Sequence, residues 1–347
     1  LSLVGLTLLQ LFAIIIFLKG FLLTRQTLDL KGRHYDAWER FPLQNPGHPS
    51  PLSNINISTR QPFERLIIIL IDALRFDFVT PLPQTSPDQH YLNQVPIIHH
   101  LQETQPSASL LFQFRADPPT TTMQRVKGLM TGSLPTFIDA GTNFASSAVG
   151  EDHVLRHVSQ KYKEIYFMGD DTWVNLFPET FDRENRTFAS DSFKMFDLDT
   201  VDNRILSHLW PLMEQGVSWE VAIAHFLGVD HCGHTYGPSH PNMARKLKEM
   251  NTVLERLVKQ VDQDTLLVVM GDHGMSVEGD HGGESVEELM SALFLYSGRN
   301  LTLSGERLGY DPSQHPIVSQ INLVPTLSYL LGIPIPFGNL GAIIPDI

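Results

Sequence analysis

The chain opens on an uncharged apolar run, Leu1 to Leu18 (LSLVGLTLLQLFAIIIFL), and after Lys19 a second apolar stretch leads to Arg25. A helix of that length, at about 1.5 Å per residue, nearly spans a hydrocarbon core, and tilt or the flanking residues supply the rest. Residues 1–25 therefore read as a transmembrane anchor. A cleaved signal peptide is the weaker reading, because no basic segment precedes the run and no small-x-small site follows it. Residues 26–60 are polar and turn-rich, as suits a stalk. Residues 61–347 read as the folded domain.

Within that domain the apolar positions come as short continuous runs rather than alternations: Leu66–Ile71 (LIIILI), Ile165–Met168, Val221–Phe226, Leu266–Met270 and, less sharply, Ala292–Tyr296. Such runs predict strands buried on both faces of a parallel sheet. Between the third and fourth, Met243, Leu247, Met250, Leu254, Leu257 and Val261 recur at helical spacing behind Pro241, which suits a first helical position. Strands alternating with helices predict an α/β domain with a mostly parallel central sheet flanked by helices. Ligands in that architecture sit beyond the carboxyl ends of the strands.

A chain of 347 residues with a formal charge of −13 can bury an enzyme-sized core and would repel a polyanion, so nucleic acid is excluded as a partner. The lone Cys232 allows no internal disulfide, whereas 15 histidines are an informative excess. Sequons at Asn56, Asn185 and Asn300 are candidate glycosylation sites and, beside an anchor, favour a lumenal or extracellular domain. The opening Leu in place of Met suggests that a few residues precede it.

The predicted strand ends share one chemistry. Asp72 follows the first strand, Asp230 and His234 follow the third, Asp272 and His273 follow the fourth, and His281 comes soon after. Carboxylate oxygens and neutral imidazoles in that number are what two divalent, zinc-type ions need. One such Asp alone would be an ordinary helix cap, but caps do not call for histidine. His231 competes with His234, because Asp230-His231 is adjacent as Asp272-His273 is. Asp117 to Gly132 (DPPTTTMQRVKGLMTG) supplies threonines at a helix start, where a metal could turn a hydroxyl into a nucleophile. Asp170, Asp171 and Trp173 follow the second strand and are candidate substrate-binding residues, a carboxylate and an aromatic face for a cation; a capping Asp and a packing Trp are the competing reading.

The order of these residues resembles the alkaline phosphatase superfamily, in particular its phosphodiesterase and phosphotransferase branch. DHCGHTYGP is similar to that branch's D-x-x-G-H-x-x-G-P stretch. LIDALRFDF, DPPTTTMQR, TGSLPTFIDAGTNF, FMGDDTW, GDHGMSVEGDHGG and GIPIPFGNLG resemble, more narrowly, the GPI ethanolamine phosphate transferases. The resemblance implies that Asp230, His234 and His281 hold one zinc, and that Asp72, Asp272, His273 and a nucleophilic threonine hold the other. It places the nucleophile ten residues before Gly132, at Thr122, with Thr120 in reserve. It further implies phosphoethanolamine transfer from phosphatidylethanolamine to a mannose of a GPI glycolipid, the third by the same likeness, on the lumenal side of the endoplasmic reticulum membrane. A small membrane-protein partner subunit is compatible with it. Family members continue into many transmembrane helices, so the chain looks like the catalytic domain of a longer protein. A membrane-anchored two-metal phosphodiesterase or pyrophosphatase that uses water is the alternative; a non-catalytic scaffold is a remote third.

Overall fold

A computed structural model describes residues 3–21, 28–33, 62–135, 148–192, 194–302 and 315–347. Asn56 and most of the expected stalk lie outside the described residues. The N-terminal run forms helix α1, Leu3–Phe21, whose Leu3–Gly20 stretch has a mean hydropathy of 2.2 and no buried residue. It is long and apolar enough to cross a membrane.

The domain is built on one sheet of eight strands: β1 Arg65–Ile71, β2 Ser109–Arg115, β3 Ile165–Asp170, β4 Thr187–Ser190, β5 Val221–Phe226, β6 Thr265–Met270, β7 Met290–Ser297 and β8 Ile317–Ser319. Their order is β4-β3-β5-β1-β6-β7-β2-β8. β7 is antiparallel to both β6 and β2, and the remaining pairs are parallel. All five predicted strands are present. β2, β4 and β8 were not foreseen: two are only three or four residues long, and Gln113 and Arg115 interrupt the apolar run of the other.

The central strands are buried on both faces because helices cover both. Ile67, Ile69 and Ile71 join a core with helices α4 Thr200–Glu214 and α6 Pro241–Val258, whereas Leu66, Ile68 and Leu70 face α2 Thr122–Thr131. Helix α3, Thr172–Leu176, lies on that second face, and α5, Gly228–Tyr236, leaves β5 on the first. The predicted helix begins at Pro241 as expected and ends three residues before Val261, where Gln260 and Val261 donate to the carbonyls of Leu257 and Val258 in a tightened last turn. α2 stops at Gly132, whose left-handed φ of 69° suits a glycine.

A further helix, Val154–Lys161, is capped by buried His153, whose Nδ1 accepts the Arg156 N–H at 3.2 Å. Burial, helped by the nearby Arg156 charge, pushes this imidazole from 6.5 down to about 4. Its folded pKa lies below its unfolded value, so the unfolded chain takes up the proton first. The cap's contribution is therefore complete above pH 6.5 and declines as pH falls towards about 4. Urea midpoints measured across this window should fall more steeply for the wild type than for His153→Asn, which caps without titrating there.

Candidate active site

The predicted residues converge on the carboxyl edge of the sheet. β1 delivers Asp72, and β6 delivers Asp272 and His273; β5 runs into α5, which carries Asp230 in its first turn and His234 one turn later. α2 starts at Thr122. His281 comes from the loop after β6, which can lie on α5 because Gly279 has no side chain. A Cβ there would sit 2.1 Å from the Gly233 carbonyl oxygen, and its φ is 95°.

The imidazoles are oriented from behind. Nδ1 of His273 donates to the Gly274 carbonyl (2.8 Å), Nδ1 of His281 to the Thr120 carbonyl (2.7 Å), and Nδ1 of His234 to Asp280 Oδ1 (3.3 Å). With the ring proton on Nδ1, each Nε2 lone pair faces inward. There it meets carboxylates. His234 and His281 Nε2 each stand 3.5 Å from Asp230 Oδ1, and His273 Nε2 stands 3.4 Å from both Asp72 Oδ1 and Asp272 Oδ2. Thr122 Oγ lies 3.3 Å from Asp72 Oδ2 and 3.4 Å from His273 Nε2.

These are acceptors facing acceptors, and the carboxylate atoms Asp72 Oδ1, Asp230 Oδ1 and Asp272 Oδ2 are buried without a hydrogen-bond partner. A cation between them would resolve the conflict: ligand bonds of about 2.0–2.2 Å to a tetrahedral ion put neighbouring ligand atoms roughly 3.3–3.6 Å apart. Asp230, His234 and His281 form one group with metal-binding spacing, and Asp72, Asp230 and His273 form another. The electrostatics agree. Burial, then the neighbouring carboxylates, raise Asp230 and Asp272 well above the usual range. At Asp72 burial acts upward too, but the His225 contact and the flanking His273 and His281 rings hold it low. Burial and the neighbouring His281 ring bring His273 down to about 3, and burial lowers His234, so both rings are neutral at neutral pH. The donor set fits divalent metal chemistry.

Thr120 and Thr122 differ sharply. Thr120 is fully buried, and its hydroxyl accepts the Gly282 N–H (2.8 Å) while donating to the Gly283 carbonyl (2.9 Å), so it ties down the His281 loop. Thr122 is half-buried with its hydroxyl in the cluster. His231 turns away, its ring nitrogens against the carbonyls of Asp197 (2.9 Å) and Ser192 (3.2 Å). Trp173 is fully buried among Phe167, Phe177 and Phe181, so its ring offers no face to a bound headgroup. Asp170 is buried and accepts the Thr172 N–H, and Asp171 accepts from Ser192. The structure thus favours the packing reading for Trp173. Asn185 and Asn300 are both exposed.

The sequence reading missed Asp280, which orients His234, and His225, a fully buried histidine in β5 whose Nε2 lies 3.3 Å from Asp72 Oδ2. A histidine inside the apolar run VAIAHF was the available signal.

Comparison with known proteins places this geometry. Residues 76–293 match the profile of the type I phosphodiesterase / nucleotide pyrophosphatase family. The chain is 46% identical over 344 residues to the human GPI ethanolamine phosphate transferase 3 catalytic subunit, covering 96% of this chain and 30% of that protein. It is 39% identical over 358 residues to GPI ethanolamine phosphate transferase 3 of Saccharomyces cerevisiae, covering 99% of this chain and 33% of that protein. The chain thus spans about a third of the length of these relatives. Its fold is shared with a crystal structure of a Vibrio parahaemolyticus protein in the alkaline phosphatase superfamily, at a TM-score of 0.54 and 16% identity, over 81% of this chain and 69% of that one.

Proposed function

The chain belongs to the type I phosphodiesterase / nucleotide pyrophosphatase family, and on that premise we propose that it transfers phosphoethanolamine from phosphatidylethanolamine to a mannose hydroxyl, the third, of a GPI glycolipid. The observation that carries the reaction class is Thr122 Oγ set 3.3 Å from Asp72 and 3.4 Å from His273 inside a cluster of unpaired carboxylate oxygens. The lipid substrates rest on the similarity to the GPI transferases and on the apolar helix α1. That similarity also supports residence in the endoplasmic reticulum membrane with the catalytic domain lumenal, where Asn185 and Asn300 would be open to glycosylation.

Asp230, His234 and His281 would hold one divalent ion, and Asp72, Asp272, His273 and Thr122 a second; zinc suits the mixed nitrogen and oxygen donors. Bound there, such ions would lower the pKa of a hydroxyl and offset the charge on phosphate and leaving oxygens. Thr122 Oγ attacks phosphorus as the bond to the diacylglycerol oxygen breaks, and the threonine proton, directed at Asp72 Oδ2, ends on diacylglycerol. The mannose oxygen then attacks the phosphoethanolamine–threonine ester, and its proton returns to Thr122 Oγ. His273 and His281, held by the Gly274 and Thr120 carbonyls, keep the cluster in register through both displacements.

Headgroup-labelled phosphatidylethanolamine, offered to the full chain in detergent with and without a mannosylated GPI precursor, distinguishes this reading from its rival. Label should move to the glycolipid, with diacylglycerol release accelerated by the acceptor. Free phosphoethanolamine released at one rate regardless of acceptor would instead establish the water-using phosphodiesterase, the reading that the family's own description favours.

A further inference from the structure

We propose that His225, fixed in one tautomer by Trp173, is a positioning residue that aims Asp72 into the metal centre. This rests on the reading of the site as a divalent-metal centre. His225 pairs with Leu70 across β5 and β1, so it shares a face of the sheet with Asp72 two residues further on. His225 and Trp173 are fully buried and Asp72 is 2% exposed, so bulk water does not reach these groups and their polar atoms interact chiefly with one another.

The indole N–H can only donate. It points at His225 Nδ1 at 2.9 Å, so Nδ1 is an acceptor and the ring's proton sits on Nε2. That Nε2 is 3.3 Å from Asp72 Oδ2, the oxygen that also faces Thr122 Oγ. Oδ2 accepts from the Thr122 hydroxyl and faces His225 Nε2 in a charge contact short of an aligned hydrogen bond, while Asp72 turns its other oxygen, the unpartnered Oδ1, towards His273 Nε2 at 3.4 Å. The Nε2 proton of His225 thus faces one oxygen of the carboxylate and leaves the other presented to the cluster. Such contacts behind a metal ligand set its orientation and basicity.

Asp170 secures the far end: its Oδ1 accepts the Thr172 N–H at 2.8 Å and so fixes the start of α3, which carries Trp173. Asp72, Asp170 and His225 bring ligand-type atoms as close together as the two metal groups do. Trp173 closes this third group to a cation. Once Nδ1 accepts from the indole and Nε2 bears the proton, the ring has no lone pair left to give.

The test uses the full chain in detergent micelles, stripped of metal and titrated with Zn(II) or Co(II). His225→Ala should weaken Zn(II) binding by about 10–100-fold and alter the visible spectrum of the Co(II) form. His225→Gln, whose amide N–H can still reach Asp72, should recover most of the affinity. Trp173→Phe keeps the aromatic packing but removes the donor, and should give a smaller loss. Nitrogen-15 spectra of the metal-free, histidine-labelled chain supply a readout that packing alone would not move. The signal missing from His225→Gln should show protonated Nε2 in the wild type and a mixture of tautomers in Trp173→Phe. Wild-type Zn(II) affinity in His225→Ala, or a wild-type ring protonated on Nδ1, would overturn the proposal. If His225→Ala does not fold, unchanged affinity and tautomer in Trp173→Phe overturn it equally. Should these metal and tautomer results hold while no phosphoethanolamine transfer is found, the functional reading fails and this one stands; transfer with unchanged Zn(II) affinity in His225→Ala gives the reverse.

Discussion

Thr122→Ala is expected to lower phosphoethanolamine transfer by at least about 10³-fold while leaving the fold and most of the bound metal in place. On the proposed mechanism the substitution removes the bond-forming atom, and the Thr120 hydroxyl cannot replace it, because it is buried and committed to Gly282 and Gly283. The metal should remain because, in the proposed ligand set, Thr122 would be one donor beside Asp72, Asp272 and His273. Trapping with radiolabelled donor should show a phosphoethanolamine–threonine ester in the wild type and none in the variant. Thr120→Ala should act differently. It frees the Gly282–Gly283 turn and loosens His281, so transfer should fall only about 10-fold, in step with metal affinity. If Thr120→Ala were the dead variant and Thr122→Ala active, the nucleophile would move by two residues. If neither mattered, the covalent route would give way to direct attack by the acceptor.

Asp272→Asn should lose both metal and activity, the latter by about 10²-fold or more, because a neutral amide is a much weaker ligand than a carboxylate for a divalent ion. Its effect on stability should have the opposite sign in the metal-free protein. Asp72, Asp230 and Asp272 are buried together, and burial plus mutual repulsion raises Asp272 well above the usual carboxylate range. Neutralising one of the three relieves that repulsion. The amide oxygen can still accept the Ala73 N–H that Asp272 Oδ1 accepts at 3.2 Å. Metal-free Asp272→Asn should therefore melt at or above the metal-free wild type, whereas in saturating Zn(II) the wild type should melt well above the variant. Elemental analysis with paired melting curves checks both halves. A metal-free variant less stable than the metal-free wild type would show that Asp272 is held by the fold itself and not by a cation.

The apolar runs alone specified the N-terminal apolar helix, the five strands and the flanked sheet, because a strand buried on both faces has to be written as continuous Ile, Leu and Val. The residues just past those runs specified the metal-type chemistry, since strand ends fall on one edge wherever strands are parallel. Sequence order does not encode which atoms face which, and there the tertiary structure decided. Thr120 and Thr122 are two positions apart, yet only the approach of the Gly282 turn commits one of them to structure. His231 and His234 differ by position on α5: one rotates into the carbonyls of Ser192 and Asp197, the other towards Asp230 and Asp280. Trp173 read equally as a ligand face or a packing ring because its motif follows a strand; the Phe167, Phe177 and Phe181 rings bury it and leave its N–H to His225. Periodicity fixes which residues are apolar and where strands end; the direction of a hydrogen bond depends on neighbours far away in the chain, and only packing brings those together.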